Sequence, residues 1–256
     1  MPGARPRARF TQAALPIVAV AAICAALFVG PMAQAADRPV DLELVLAVDS
    51  SDSVDDREFD LQIVGLADAF RHPEVIKALR AGPRKSIVVS VVEWADREGQ
   101  TVKIPWTHLH DAASARAVAE AISRLTRTYE RGVTSVSGII DFAVESFKDN
   151  GFQGTRRVID ISSDGRQNDG RSLPDARAEA GASGVTINAL TILNEYGSLD
   201  DYFRREVIIG PSSFVEVAED YDVYPRAILR KLIRELSSVP VVRKRSKPRS
   251  ANPDQG

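Results

Sequence analysis

Three short segments of this 256-residue chain carry the side chains whose types and spacing could do chemistry. Asp49-Ser50-Ser51-Asp52-Ser53 sets a carboxylate and two hydroxyls at alternate positions, the pattern D-x-S-x-S through Asp49, Ser51 and Ser53. Gly132-Val133-Thr134-Ser135 offers a third hydroxyl at Thr134, and Ser162-Ser163-Asp164-Gly165 offers a second carboxylate at Asp164. Carboxylates and hydroxyls are hard oxygen donors. Together these five side chains suit one hard divalent cation, Mg2+ first, with Mn2+ and Ca2+ as alternatives, because Mg2+ takes about six oxygens and keeps some of them as water. An oxygen-only set suits zinc or copper poorly. Taken singly, the segments have plainer readings: Ser53 and Thr134 as helix N-caps, Asp164-Gly165 as a turn. Their joint placement at strand ends and helix starts favours the cation.

For the three segments to meet, the surrounding elements must bring them to one edge. Residues 42–48 (LELVLAV) form a near-continuous apolar run ending at the first segment, the pattern of a strand covered on both faces. Residues 86–94 (SIVVSVVEW), 156–162 (RRVIDIS), 185–193 (VTINALTIL) and 214–218 read as further strands, and 101–106 (TVKIPW) as a shorter one whose Pro105 suits a sheet edge. Between them, Phe59, Ile63, Leu66, Ala67 and Phe70 recur at helical spacing, as do Ala115, Val118, Ala119, Ile122 and Leu125 behind a capping Asp111. Helices also follow Thr134 (Val136, Ile139, Ile140, Ala143, Val144, Phe147), separate the strands at 156–162 and 185–193, and close the domain (Ile228, Leu229, Leu232, Ile233, Leu236). Strands alternating with helices predict a doubly wound α/β fold, a mostly parallel sheet with helices on both faces. Ligands collect at the carboxyl edge of such a sheet, where all three segments would lie.

With these residues in this order, the sequence resembles the von Willebrand factor A superfamily, and within it a group of exported bacterial proteins (DUF1194-like), over residues 40–236. The resemblance implies a Rossmann-like fold and a metal-ion-dependent adhesion site, with Asp49, Ser51, Ser53, Thr134 and Asp164 at its five positions. It further implies that the two serines bind the metal directly, that Thr134 does so directly or through water, and that the aspartates act largely through water or hydrogen bonds. One departure is Ser163, where many relatives carry threonine. Neutral hydroxyls quench a cation's charge weakly, so a carboxylate of a partner protein could displace one of its waters. The expectation is a binding module and not an enzyme.

Other motifs are consistent with that expectation. A metal-dependent phosphohydrolase is the alternative, but the second position after Asp49 is Ser51, which cannot act as a base near neutral pH. No G-x-S-x-G elbow, phosphate loop or dinucleotide fingerprint occurs. Of the three histidines, His108 and His110 are expected as an exposed pair in a loop beyond the edge strand. Trp94 and Trp106 read as packing residues, and the region from Tyr196 to Tyr202 as either helix packing or part of a recognition surface.

Residues 1–35 read as a signal peptide: Arg5, Arg7 and Arg9, then an almost wholly apolar stretch over 13–29, then Ala33-Gln34-Ala35 with cleavage before Ala36. A retained anchor is the alternative, since the apolar stretch sits at the lower limit for spanning a bilayer. Cys24, the only cysteine, follows a bulky Ile23 that fits a lipidation site poorly. After cleavage no disulfide or thiolate site remains, and no membrane span. The domain then occupies 36–238, about 220 residues with the tail included, ample for one α/β core. Residues 239–256 form a basic tail with Arg243, Lys244, Arg245, Lys247 and Arg249, expected to be disordered. The formal charge of −2 includes the three leader arginines, which leaves the remainder at −5 and argues against a nucleic-acid partner. The expected location is the periplasm or the medium.

Overall fold

A computed structural model describes residues 37–237. The expected leader and basic tail lie outside the described residues. Strand β1 (Arg38–Asp49) is buried from Val40 onward, because it is central: it pairs in parallel with β2 (Ile87–Trp94) on one side and β4 (Phe152–Ser163) on the other. Strands β5 (Val185–Ile192) and β6 (Val215–Ala218) extend the parallel run beyond β4. Strand β3 (Gln100–Leu109) closes the opposite edge in antiparallel sense, giving the order β3-β2-β1-β4-β5-β6. Val89 faces Thr107 while Val91 faces Ile104, so two residues of β3 oppose one of β2. The two are Pro105 and Trp106, opposite Ser90, and proline has no N–H to give a ladder, which confines it to such an edge bulge.

Alternation along β1 divides the core. Leu42, Leu44, Leu46 and Val48 face helices α1 (Asp56–Arg71), α2 (Pro73–Leu79), α3 (Ala112–Ile122) and α7 (Tyr224–Ser237). Val45 and Ala47 face α4 (Val136–Ser146), α5 (Leu173–Ala182) and a π-helical turn, Phe203–Val207, which follows the short α6 (Leu199–Tyr202). The doubly wound sheet expected from the sequence is thus the fold. Trp94 is fully buried, and Trp106 packs on Phe147 while its indole N–H donates to the Ser146 carbonyl at 2.9 Å.

One expectation fails at His108. It lies in β3 and not in a loop, half-buried, stacked on His110 at 4.9 Å and on Phe152 at 6.1 Å, with Arg38 Nη1 3.2 Å from its Nδ1. Burial, then the charge of Arg38, then His110 hold it more readily neutral than a free histidine. The bulge lengthens β3 past Trp106 and carries His108 into the ladder, which the short run TVKIPW did not foretell.

The inner face of α7 is not purely apolar. Lys231, fully buried, places its Nζ 2.8 Å from Asp160 Oδ1 on β4 and 4.7 Å from the Phe214 ring centroid. One turn on, buried Glu235 receives Arg156 Nη1 at 3.2 Å and the side-chain amide of Asn188. Tyr224 sits with its hydroxyl 3.2 Å from Ser162 Oγ. Polar residues of α7 therefore meet polar residues on β4 and β5 across an otherwise apolar layer.

Candidate metal centre

The local structure frees the two hydroxyls that could have been helix caps. Helix α1 is capped by Asp55, in a reciprocal box with Glu58, and not by Ser53. Helix α4 is capped by Ser135, whose Oγ accepts from Gly138 N at 3.3 Å, and not by Thr134. Ser53 and Thr134 are left to face the carboxyl edge of the sheet.

There the chain brings distant segments together. Asp49, the last residue of β1, is fully buried; its Oδ1 accepts from the Ser51 N–H at 2.9 Å and its Oδ2 from Ser163 Oγ at 2.6 Å. Ser51 Oγ lies 3.4 Å from Ser53 Oγ, and Ser53 Oγ donates to Asp164 Oδ1 at 2.6 Å. Asp164 Oδ2 is buried and makes no well-formed hydrogen bond, although the Tyr221 hydroxyl stands beside it. Thr134 joins from the third loop: its side chain lies against Gly165, and it lines the same cleft as Ser53. The loops are pinned to one another. Asp52 N donates to the Gly132 carbonyl at 2.8 Å, Gly132 N donates to Asp52 Oδ1 at 2.9 Å, and Asn168 Oδ1 accepts from Thr134 N at 2.7 Å.

The electrostatics are those of two buried acids held close together. Burial, then the neighbouring Asp49, push the Asp164 carboxyl up to about 7, and burial raises Asp49 as well. Tyr221 is held in its neutral form, first by burial and then by these two carboxylates. A buried carboxylate oxygen with no well-formed hydrogen bond, beside a second acid and two hydroxyls in contact, fits a hard divalent cation, since such an ion offsets the repulsion and gives that oxygen a strong partner. Asp49, Ser51, Ser53, Thr134 and Asp164 are the residues that would hold it, all through oxygen.

Other residues brace this arrangement, and two of them were invisible at the level of motifs. Glu93, the one acid in the largely apolar β2, accepts from Ser50 Oγ at 2.9 Å, Thr128 N at 2.6 Å and Tyr129 N at 2.9 Å, with Lys103 Nζ at 3.0 Å. Arg127 is only 11% exposed; Nη2 donates to the Ser50 and Ser51 carbonyls at 3.3 Å each, and Nη1 pairs with Asp56 at 3.1 Å. A glutamate inside the run SIVVSVVEW is the one sequence signal that could have flagged this brace; Arg127 carries none. Ser163, conspicuous in the sequence only as a replacement for threonine, is a hydrogen-bond donor to Asp49.

A family model described as "Protein of unknown function (DUF1194)" matches residues 39–240. The chain belongs to this DUF1194 family. Solved structures similar to this family member share its von Willebrand factor A fold at low identity. Proximal thread matrix protein 1 from the mussel byssus, solved with a zinc-occupied MIDAS motif, is 16% identical with a TM-score of 0.53 over 78% of this chain and 49% of that one. A von Willebrand factor type A protein from Catenulispora acidiphila is 19% identical with a TM-score of 0.54, covering 77% of this chain and 42% of its own. The manganese-loaded TRAP protein of Plasmodium vivax is 15% identical with a TM-score of 0.51, covering 77% and 73%. The chain spans about half the length of the solved structures it first matches. No curated protein matches it.

Two predictions arise at this centre. In the apo protein Asp164 binds its proton up to about pH 7, whereas an unfolded aspartate releases it near 3.8. Its contribution to apo stability is therefore present below pH 3.8 and lost as the pH rises through 7. A cation must displace that proton, so Mg2+ affinity should weaken by about tenfold per pH unit below 7. Calorimetry in buffers of differing ionisation enthalpy would reveal the released proton; a flat profile from pH 6 to 8 would refute it. The second concerns Gly165, where an added Cβ would stand 3.1 Å from Thr134 Oγ1. Gly165→Ala should push Thr134 aside and weaken Mg2+ binding by about tenfold, the scale of a 1–3 kcal/mol overpacking strain. Ala at this position with unaltered affinity would show that Thr134 makes no contribution.

Proposed function

We propose that this chain is an exported, metal-dependent adhesion module that holds one divalent cation, Mg2+ in the first instance, and binds a carboxylate of a partner protein without turning it over. The observation that carries this reading is the meeting of Asp49, Ser51, Ser53 and Asp164 at one edge of the sheet, with Asp164 Oδ2 buried and without a well-formed hydrogen bond. When bound, the ion supplies an electrophilic position open to an anionic oxygen. The protein's own part is to hold that position still. Ser163 and the Ser51 N–H fix both oxygens of Asp49, Arg127 fixes the Ser50 and Ser51 carbonyls, and Asp52 locks the Thr134 loop alongside.

The fold of the mussel, Plasmodium and Catenulispora proteins supports the reading, as do the zinc and manganese recorded in two of them. Export, to the periplasm or the medium, is supported by the basic, apolar and small-residue sequence of positions 1–35. Capture of envelope and culture-supernatant proteins on the immobilised chain, in Mg2+ and again in EDTA, tests the proposal. A partner retained in Mg2+ and released by the chelator is expected. Chelator-insensitive capture, or metal-dependent hydrolysis of a phosphate ester, would overturn it.

A further inference from the structure

Beside the oxygen-lined centre lies a cleft of about 190 Å3, bounded by Ser53, Thr134 and Gly165 and, beyond them, by Val133, Arg166 and Tyr196. Val133 is 46% and Tyr196 48% exposed, two of the four large apolar side chains so exposed among the described residues. Single exposed apolar residues mean little, but two at the mouth of one polar site form a contact surface.

Arg166 stands two residues after Asp164 and is held from three sides. Its guanidinium lies 5.8 Å from the Tyr196 ring centroid and 5.4 Å from that of Tyr202, and Nη2 donates to Ser198 Oγ at 3.1 Å. Arg57 and Arg127, near the same edge, are each paired with an aspartate, whereas Arg166 has no carboxylate partner among the described residues. A guanidinium fixed by aromatic rings, with its charge unneutralised, is pre-organised to receive a carboxylate through two parallel N–H donors. Asp52 and Glu195 line the same cleft and add negative charge to its wall. Such a rim repels an evenly charged polyanion and admits an anion whose acids are separated.

Resting on the adhesion reading above, we infer that the cleft recognises an extended acidic peptide segment bearing two carboxylates, one directed to the oxygen-lined centre and the second to Arg166, with an apolar side chain of the segment against Val133 and Tyr196. Arg166 is thereby the residue that sets specificity, while the five oxygen-bearing side chains set metal dependence.

The test uses fluorescently labelled, blocked peptides Asp-(Gly)n-Asp-Leu, with n from zero to three, each beside its counterpart ending Asn-Leu. They are titrated into the full chain in Mg2+ and in EDTA and read by anisotropy. One spacing should bind about tenfold more tightly than its Asn counterpart in Mg2+ alone, the scale of one charge-assisted pair. Arg166→Gln, its fold checked by thermal melting, should bring that peptide down to its counterpart's affinity. No advantage at any spacing, an advantage that survives Arg166→Gln, or tighter binding of a glucuronate oligomer than of every peptide would overturn the inference. A Mg2+ titration without peptide separates the two levels. Heat of metal binding without a two-carboxylate advantage removes this inference alone, and absence of that heat removes the adhesion reading and this inference together.

Discussion

Asp49→Asn should abolish metal binding and, at the same time, make the apo protein more stable. The two effects have one origin. Asp49 is fully buried at the end of β1, and its charge is opposed by burial and shared with Asp164. The amide keeps the shape: its oxygen can accept from Ser51 N–H while its nitrogen faces Ser163 Oγ, which can turn to accept. Removing the charge removes the repulsion with Asp164, worth about 1 kcal/mol of apo stability if it lets that carboxyl return one pKa unit toward its ordinary value. A cation, however, would then meet one buried carboxylate in place of two. Affinity should fall by at least ~100-fold, equivalent to about 3 kcal/mol, the lower end of the cost of breaking a buried charge pairing. Thermal melts in EDTA and calorimetry with Mg2+ read the two arms separately. A variant that binds Mg2+ like the wild type would remove Asp49 from the centre.

A change in the opposite part of the core should have the largest effect on stability. Lys231→Met strands Asp160, whose carboxylate faces the Lys231 ammonium at 2.8 Å in the buried layer. Removing one member of such a pair typically costs 3–5 kcal/mol, whereas replacing both by apolar residues of similar size is near neutral. Lys231→Met should therefore lower the urea midpoint sharply at pH 8, and the double variant Asp160→Leu/Lys231→Met should recover most of it. The pH dependence has a definite sign. Burial, opposed by Lys231, already holds the Asp160 carboxyl at about 6, above its unfolded 3.8, so native Asp160 takes up a proton before the unfolded chain does. As the pH falls from 8 to 5 the stranded acid becomes neutral, and the deficit of Lys231→Met should shrink. A deficit that is constant over this range would mean that lost packing, and not charge, sets the cost.

This pair also marks where the sequence stopped being legible. Apolar runs were enough to place the strands, because a central parallel strand has two covered faces and almost no room for polar residues. β1 and β2 show this, and Pro105 pointed correctly to an edge. The inner face of α7 was readable only in part. Ile228, Leu232 and Leu236 are buried as their spacing requires, but Leu229 and Ile233 are only partly so, and Lys231 and Glu235 lie inside instead. A charged residue turns inward when a complementary group waits on another element, and the partners Asp160, Arg156 and Asn188 are remote in the chain. Helical periodicity contains no such term.

At the candidate centre the same distinction holds. D-x-S-x-S could be read directly, since Asp49, Ser51 and Ser53 are held in a fixed relation by one short loop. Which residue caps each helix could not, because Ser53 and Asp55 are both good caps, and so are Thr134 and Ser135. Geometry decided for Asp55 and Ser135. The bracing by Glu93 and Arg127 was hidden because arginine and glutamate are ordinary surface residues until a fold encloses them.

The central place of β1 has a consequence for how the chain acquires its shape. The strand that leads the domain is completed on one side only when β4, beginning at Phe152 opposite Arg38, has been made. Few of the decisive pairings are local, so contact order is high and the search for them is slow compared with a helical bundle of equal size. A nascent chain that has not reached β4 carries Leu42, Leu44, Leu46 and Val48 on a strand with an open edge, the kind of surface that holdase chaperones shield and that aggregates when they do not.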